Sequence, residues 1–92
     1  MRERDWQAMV TAAAQHLGYL AYHTHDARRS QPGYPDLCLV RGERLVFLEL
    51  KTEKGRVRPE QQVWLDALSQ VPGVVAMVAR PSQWEEILEV LR

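Results

Sequence analysis

Apolar residues recur at helical spacing near the start of the chain, where Trp6, Met9, Val10, Ala13, Ala14 and Leu17 share one face. The spacing predicts an amphipathic helix, and Gly18 just beyond it suits a C-cap. Residues 19–24 then read as a short strand. Residues 25–34 form a polar loop holding Arg28, Arg29, Ser30, Pro32 and Gly33. Two apolar runs follow, one from Leu37 to Val40 and one ending at Leu50. They flank Arg41-Gly42-Glu43-Arg44, a pattern that predicts a β-hairpin over about residues 36–51. Residues 52–58 make a second polar loop with Lys54, Gly55, Arg56 and Arg58.

Pro59 suits the first turn of a second helix, whose apolar stripe reads as Val63, Trp64, Ala67 and Leu68. Pro72-Gly73 ends it. The continuous apolar run from Val74 to Ala79 has strand length and is expected to be buried on both faces. Ser82 followed by Glu85 reads as a capping box opening a last helix with Trp84, Ile87, Leu88 and Leu91 on one side. The order α-β-β-β-α-β-α predicts an α/β fold, a small mixed β-sheet with flanking helices. The strands before and after the second helix should be parallel neighbours joined by a right-handed crossover. Trp6, Trp64 and Trp84 all fall on apolar helix faces, which points to core packing.

Composition narrows the picture. A chain of 92 residues, 46% hydrophobic, suits one domain spanning 1–92 with a single core. The formal net charge is zero and the pI about 6.8, so any basic surface for nucleic acid must be local. The single cysteine, Cys38, excludes an intrachain disulfide and is expected to be buried in its strand. No apolar run approaches the roughly 18 residues of a spanning helix, and no signal-peptide core is evident. These features lead to the expectation of a cytoplasmic protein with no membrane partner.

The candidate chemistry lies where the hairpin ends. Pro35-Asp36 starts the first run, and Glu49-Leu50-Lys51 closes the second. Glu49 and Lys51 point the same way along a strand, while Leu48 and Leu50 face a core. Antiparallel pairing brings Asp36 beside Glu49, with Lys51 alongside. Two converging carboxylates repel unless a cation sits between them, and Mg²⁺ prefers such oxygen ligands. A lysine at such a centre orients water or stabilises charge developing on phosphate. On the residue pattern alone, a solvated hairpin with ordinary surface charges is an equally good reading.

With the acidic pair, the lysine and the element order together, the chain resembles the VRR-NUC family, the virus-type replication-repair nucleases of the PD-(D/E)xK superfamily. The resemblance rests on Tyr22-His23-Thr24-His25-Asp26, Gly33-Tyr34-Pro35-Asp36-Leu37, Glu49-Leu50-Lys51-Thr52-Glu53-Lys54-Gly55, and Pro59-Glu60-Gln61 leading into Trp64-Leu65. It implies a restriction-endonuclease-like core and Mg²⁺- or Mn²⁺-dependent cleavage of phosphodiesters. It also implies that small stand-alone members act as homodimers on branched DNA, including four-way (Holliday) junctions. No organic cofactor is implied, and the setting would be a bacterial cell, with a bacterial or phage gene.

The resemblance also distributes roles. Asp36, Glu49 and the backbone carbonyl of Leu50 would bind the metal, and Lys51 would hold the attacking water or the scissile phosphate. Gln61, in the first turn of the second helix, would complete the catalytic set, with Gln62 beside it as the alternative. Asp5 occupies the first helix where the family usually has glutamate. It is one methylene shorter, and Glu3 lies nearby as a substitute. His23 stands where the family often has a histidine, which suits DNA contact or support of the site. Arg28, Arg29, Lys54, Arg56 and Arg58 fit phosphate contacts from the two flanking loops. No side chain stands out as a reader of bases, so recognition of shape and backbone is expected. Nicking, flap cleavage or restriction-like cutting would use the same residues, and a DNA-binding module without useful activity is the reading from another class.

Overall fold

The computed structural model describes residues 1–25 and 29–92. Arg28 and Asp26, singled out above, lie outside the described residues. The chain runs through helix α1 (Glu3–His16), strands β1 (Leu20–His23), β2 (Leu37–Arg41) and β3 (Arg44–Leu50), helix α2 (Pro59–Ser69), strand β4 (Val74–Ala79), a 3₁₀ turn over Pro81–Gln83, and helix α3 (Trp84–Leu91). The four strands lie in sequence order in one sheet. β1 with β2 and β2 with β3 are antiparallel, and β3 with β4 is parallel, so α2 is the crossover that the sequence pattern predicts.

Strand alternation divides the sheet into two unlike faces. Leu37 and Leu39 of β2, Val46, Leu48 and Leu50 of β3, and Ala79 of β4 join Trp6, Val10 and Ala14 of α1 and Ile87 and Leu91 of α3 in one core. Each large aliphatic side chain fully withdrawn from water there contributes roughly 1.5–3 kcal/mol. Trp6 and Trp84 meet edge to face, ring centres 5.8 Å apart, and the Trp6 indole donates to the Ala79 carbonyl at 2.9 Å. That bond satisfies the one polar atom of a ring that is otherwise wholly buried. Met9, expected on the buried face of α1, is exposed at its flank.

The hairpin turn closes the far end of the fold. Arg41 donates to the Leu17 and Arg92 carbonyls and lies over the Tyr19 ring. Arg44 donates to the Tyr19 hydroxyl and to the Val90 carbonyl. These two guanidinium groups satisfy carbonyls left open where α1 and α3 end.

The opposite face is covered only in part. α2 packs on β4 there, and its buried anchor is Leu65. Val63, expected on the buried stripe of α2, is 67% exposed. The buried side of this helix centres on Gln61, Leu65 and Leu68, and Val63 falls nearly opposite at 100° per residue. β4 is an edge strand, so most of its residues are half-buried rather than enclosed on both sides. β1 and β2 lie beyond α2. Leu20 and Tyr22 are therefore exposed and Cys38 is half-buried, not a core residue. Ser82 does not cap α3, because the intervening 3₁₀ turn directs it elsewhere. Its backbone N–H and hydroxyl both donate to the Glu53 carboxylate.

The loop before β2 is docked on the start of α2. Gly33 adopts φ +88°, and a Cβ there would fall 2.3 Å from the Glu60 carbonyl oxygen. Only glycine allows both that backbone conformation and that approach. The Trp64 indole donates to the Pro32 carbonyl at 3.1 Å, and Tyr34 stacks edge-on between Trp64 and Phe47. Trp64 thus clamps the loop to the helix, which fixes Asp36 and Gln61 relative to each other.

Candidate active site

The register Leu37↔Leu48 continues by one step to Asp36 opposite Glu49. Both residues alternate onto the face that α2 covers. Asp36 accepts a hydrogen bond from the Leu50 backbone N–H at 2.8 Å, across the point where β2 no longer supplies a strand partner. The N–H and C=O of one strand residue point to the same edge, so the Leu50 carbonyl is directed to the Asp36 side. Lys51 Nζ lies 3.7 Å from Glu49 Oε2, and Gln61 Nε2 donates to the same oxygen at 3.1 Å. Gln61 is held at its other end: its Oε1 accepts from the Arg58 N–H at 2.8 Å, the reciprocal half of a helix cap. The two faces of one amide thus tie the α2 N-terminus to Glu49.

Glu49 is the exceptional residue. It is 1% exposed, and among the described residues its Oε1 has no hydrogen-bond partner. A carboxylate oxygen withdrawn from water with nothing to accept from is costly. Burial pushes the Glu49 pKa up, from the ordinary 4.5 to about 8. Asp36 adds to that rise, as an acceptor open only to the protonated acid and through its charge; Lys51 opposes it, and Glu3 raises it further. An acid kept this uncomfortable is the signature of a position awaiting a cation or a proton.

The donor set fits a hard divalent cation. It comprises the Asp36 carboxylate, the orphaned Glu49 oxygen and the Leu50 carbonyl, all oxygens. Among the described residues no three His, Cys, Asp or Glu side chains gather into a ready-made cage. A site that supplies few protein ligands and leaves the rest to water and substrate is the habit of Mg²⁺. Glu3 and Asp5 are both exposed on α1, and of the two it is Glu3 whose charge acts on Glu49. Of the two acidic residues considered for this helix, the structure brings Glu3 electrostatically nearer.

A cleft of about 190 Å³ opens beside this centre, walled by Thr24, Ser30, Gly33, Asp36, Arg58 and Gln61. Arg58 therefore stands at the site itself. Lys54 and Arg56 are exposed on the loop after β3, and Arg29 is exposed on the loop before β2. His23 ends β1 opposite Leu37, one residue from Asp36, and its ring lies against His25 with centres 4.1 Å apart. Gln62 points to the helix exterior, bonded to Asp66. Sequence reasoning missed Arg80, which donates to carbonyls of the loop after Lys51. As an isolated arginine outside any recognised motif, it gave no signal in the sequence.

Comparison with known proteins decides the family. The family model described as the VRR-NUC domain matches residues 3–82. The chain belongs to the VRR-NUC family. Two solved structures share the fold. One titled "VRR_NUC domain" superposes with a TM-score of 0.75 at 23% identity, over 95% of this chain and 94% of the other. One titled "VRR_NUC domain protein" gives 0.70 at 20% identity, over 98% of this chain and 90% of the other. A search of curated proteins found no match. The VRR-NUC match covers the acidic pair, Lys51 and Gln61, and establishes a nuclease-type fold for which DNA is the implied substrate.

The buried carboxylate yields a measurable pH dependence. The folded pKa of Glu49 exceeds its unfolded value, so the native state favours the protonated acid. Its contribution to stability is full below about 4.5 and is lost as pH rises through about 8. Without divalent metal, Glu49→Gln should therefore be more stable than wild type at pH 8 by roughly 1–3 kcal/mol. The gap should close towards pH 4. Urea unfolding at the two pH values in chelator measures it, and equal stabilities at pH 8 would show that Glu49 is not strained.

Proposed function

We propose that this VRR-NUC protein is a metal-dependent endodeoxyribonuclease, with branched DNA such as four-way junctions as its preferred substrate. The observation that carries the reading is the buried, partnerless oxygen of Glu49 directly across the strands from Asp36, with Lys51 on the same carboxylate. A structural role would satisfy that oxygen, and a surface charge would expose it.

Asp36, Glu49 and the Leu50 carbonyl would hold Mg²⁺ or Mn²⁺, with Glu3 acting on Glu49 through its charge and Asp5 the other acidic candidate on α1. When bound, the cation makes water more acidic and neutralises charge on phosphate. Lys51, 13% exposed at its side chain and 3.7 Å from Glu49, would orient the attacking water or meet the phosphate oxygens. Gln61 fixes the rotamer of Glu49 and presents the start of α2 to the site. Arg58 in the cleft wall, with Lys54, Arg56 and Arg29 on the loops, would engage the DNA backbone. His23 pairs with Leu37 and so alternates to the sheet face opposite Asp36; it is included among the DNA contacts on its place in the sequence. Arg28 is included among the backbone contacts on its place in the sequence.

The dimeric state in this reading is supported by the half of the sheet that α2 leaves uncovered. Leu20 is 77% exposed and Tyr22 61%, with Val40 paired to Leu20 across the strands. Leu20, Tyr22, Cys38 and Val40 carry no formal charge on this face, and such a surface is complementary to itself under a two-fold axis. Two sites related by that axis match the two-fold form of a four-way junction. The whole chain, 1–92, acts in this proposal as one nuclease domain in the cytoplasm.

The test of activity is cleavage of labelled single strand, duplex, flap and four-way junction with Mg²⁺ or Mn²⁺. Wild type should cut the junction best, and Glu49→Ala should lose at least about 10³-fold in rate. Preference for flap or duplex would replace the junction reading with another nuclease role. No cutting by folded, metal-loaded wild type would favour a binding module. Separately, sedimentation should show a dimer that Leu20→Glu with Tyr22→Glu converts to monomer, and a wild-type monomer at assay concentration would remove the two-site model.

A further inference from the structure

Arg80 follows β4, outside the acidic centre, yet its guanidinium is committed to the loop that follows Lys51. Nη1 donates to the Thr52 and Gly55 carbonyls at 2.7 Å each and lies 3.3 Å from the Glu53 carbonyl. The backbone N–H of Arg80 is itself anchored, donating to Gln83 Oε1 at 2.9 Å. A second tie runs parallel to it: Glu53 accepts from both the N–H and the hydroxyl of Ser82. The start of the loop is also pinned, because the Lys51 N–H donates to the Ala79 carbonyl at 3.1 Å. The first half of this loop, from Lys51 to Gly55, is therefore bound to the β4–α3 junction at several points.

The loop bears directly on Lys51. It turns back through the Gly55 N–H to Thr52 carbonyl bond, so that Gly55 comes over the lysine stem. A Cβ at Gly55 would lie 3.5 Å from Lys51 Cδ and 3.3 Å from Thr52 Oγ1, ordinary and close contact respectively. A lysine side chain has four rotatable bonds and loses roughly 2 kcal/mol of rotamer freedom when held. Its 3.7 Å approach to Glu49 is too long to supply that hold alone. The Lys51 side chain is only 13% exposed, and the Gly55 backbone that Arg80 holds passes beside its stem.

We infer that Arg80 is a positioning residue that holds Lys51 in its working orientation by clamping the carbonyls of Thr52 and Gly55. The inference rests on the nuclease reading for its consequence in catalysis, though not for the clamp itself. All three contacts come from Nη1, which the length and planarity of the guanidinium set among the carbonyls. A lysine ammonium also carries N–H donors but ends on a shorter stem without that planar group, so it would replace the clamp only in part. The exposed charge of Lys54 is untouched by the clamp, so DNA affinity should change little when Arg80 is removed.

Two measurements test this. Lys51 and Lys54 are the only lysines in the chain, so ¹³C-labelled lysine gives two side-chain signals, with exposed Lys54 as the mobile reference. In wild type the Lys51 ε-methylene should relax as an ordered group, and in Arg80→Ala it should approach Lys54. This arm needs neither DNA nor activity. Lys51 as ordered in folded Arg80→Ala as in wild type overturns the inference, whether or not the protein proves to be a nuclease.

The kinetic arm uses a labelled four-way junction with Mn²⁺. Arg80→Ala should lower kcat by about 10- to 100-fold with KM within about 3-fold of wild type. In a Lys51→Ala background the same change should cost less than about 3-fold, because the group it positions is gone. Arg80→Lys should recover part of both the order and the rate, and it serves as the folded variant should Arg80→Ala not fold. Equal losses in the two backgrounds, or a loss confined to KM, would overturn the inference. Absence of cleavage by wild type would instead strike the nuclease reading and leave the relaxation result to decide the clamp.

Discussion

The burial of one carboxylate organises the rest of the molecule. Glu49 sits on the central strand β3 with both neighbours in the sheet formed, Asp36 across from it and α2 over it. Among the described residues nothing donates to its Oε1. Placing an acid there costs stability that the core on the other face has to offset. The surroundings dedicated to it are extensive. Asp36 is fixed by the Leu50 N–H, Gln61 is fixed by the helix cap, and Lys51 is fixed by the loop that Arg80 holds. Each of these ties has a backbone N–H or carbonyl at one end, which favours a preorganised centre.

The two faces of the sheet divide the labour. One buries Trp6, the β2 and β3 leucines and α3, and supplies the rigidity. The other carries the acidic centre at one end and an uncovered apolar half at the other. Since β3 belongs to both, alternate residues serve the core and the site: Leu48 and Leu50 point one way, Glu49 and Lys51 the other. A one-residue slip in register would exchange those roles, and the leucines in the core forbid it. The site inherits its precision from the hydrophobic pattern.

Much of this was legible in the sequence because it depends on period. The alternation through Leu48, Glu49, Leu50 and Lys51 announces which way each residue faces. The parallel pairing of β3 with β4 follows from the intervening helix. What period does not reveal is how far a neighbouring element extends. Val63 and Cys38 fit apolar patterns and are nonetheless not enclosed: Val63 lies on the outer side of α2, and Cys38 lies on the part of the sheet that α2 does not reach. Ser82 and Glu85 had the spacing of a cap, but Glu53, 29 positions earlier, claims the serine. Arg80 is invisible for the same reason: its partners are backbone carbonyls, which every residue has and no sequence pattern marks. The positive φ of Gly33 is legible only in part. Glycine beside proline announces a turn, but not that the turn touches the Glu60 backbone.

The central claim is that Glu49 is kept buried and proton-hungry so that a divalent cation can replace the proton. Calorimetric titration of Mn²⁺ into the protein at pH 7, in buffers of different ionisation enthalpy, tests it most directly. Binding at the proposed centre should release close to one proton per site, and both binding and release should vanish in Glu49→Ala. Mn²⁺ binding that releases no proton, or that persists unchanged in Glu49→Ala, would contradict the account.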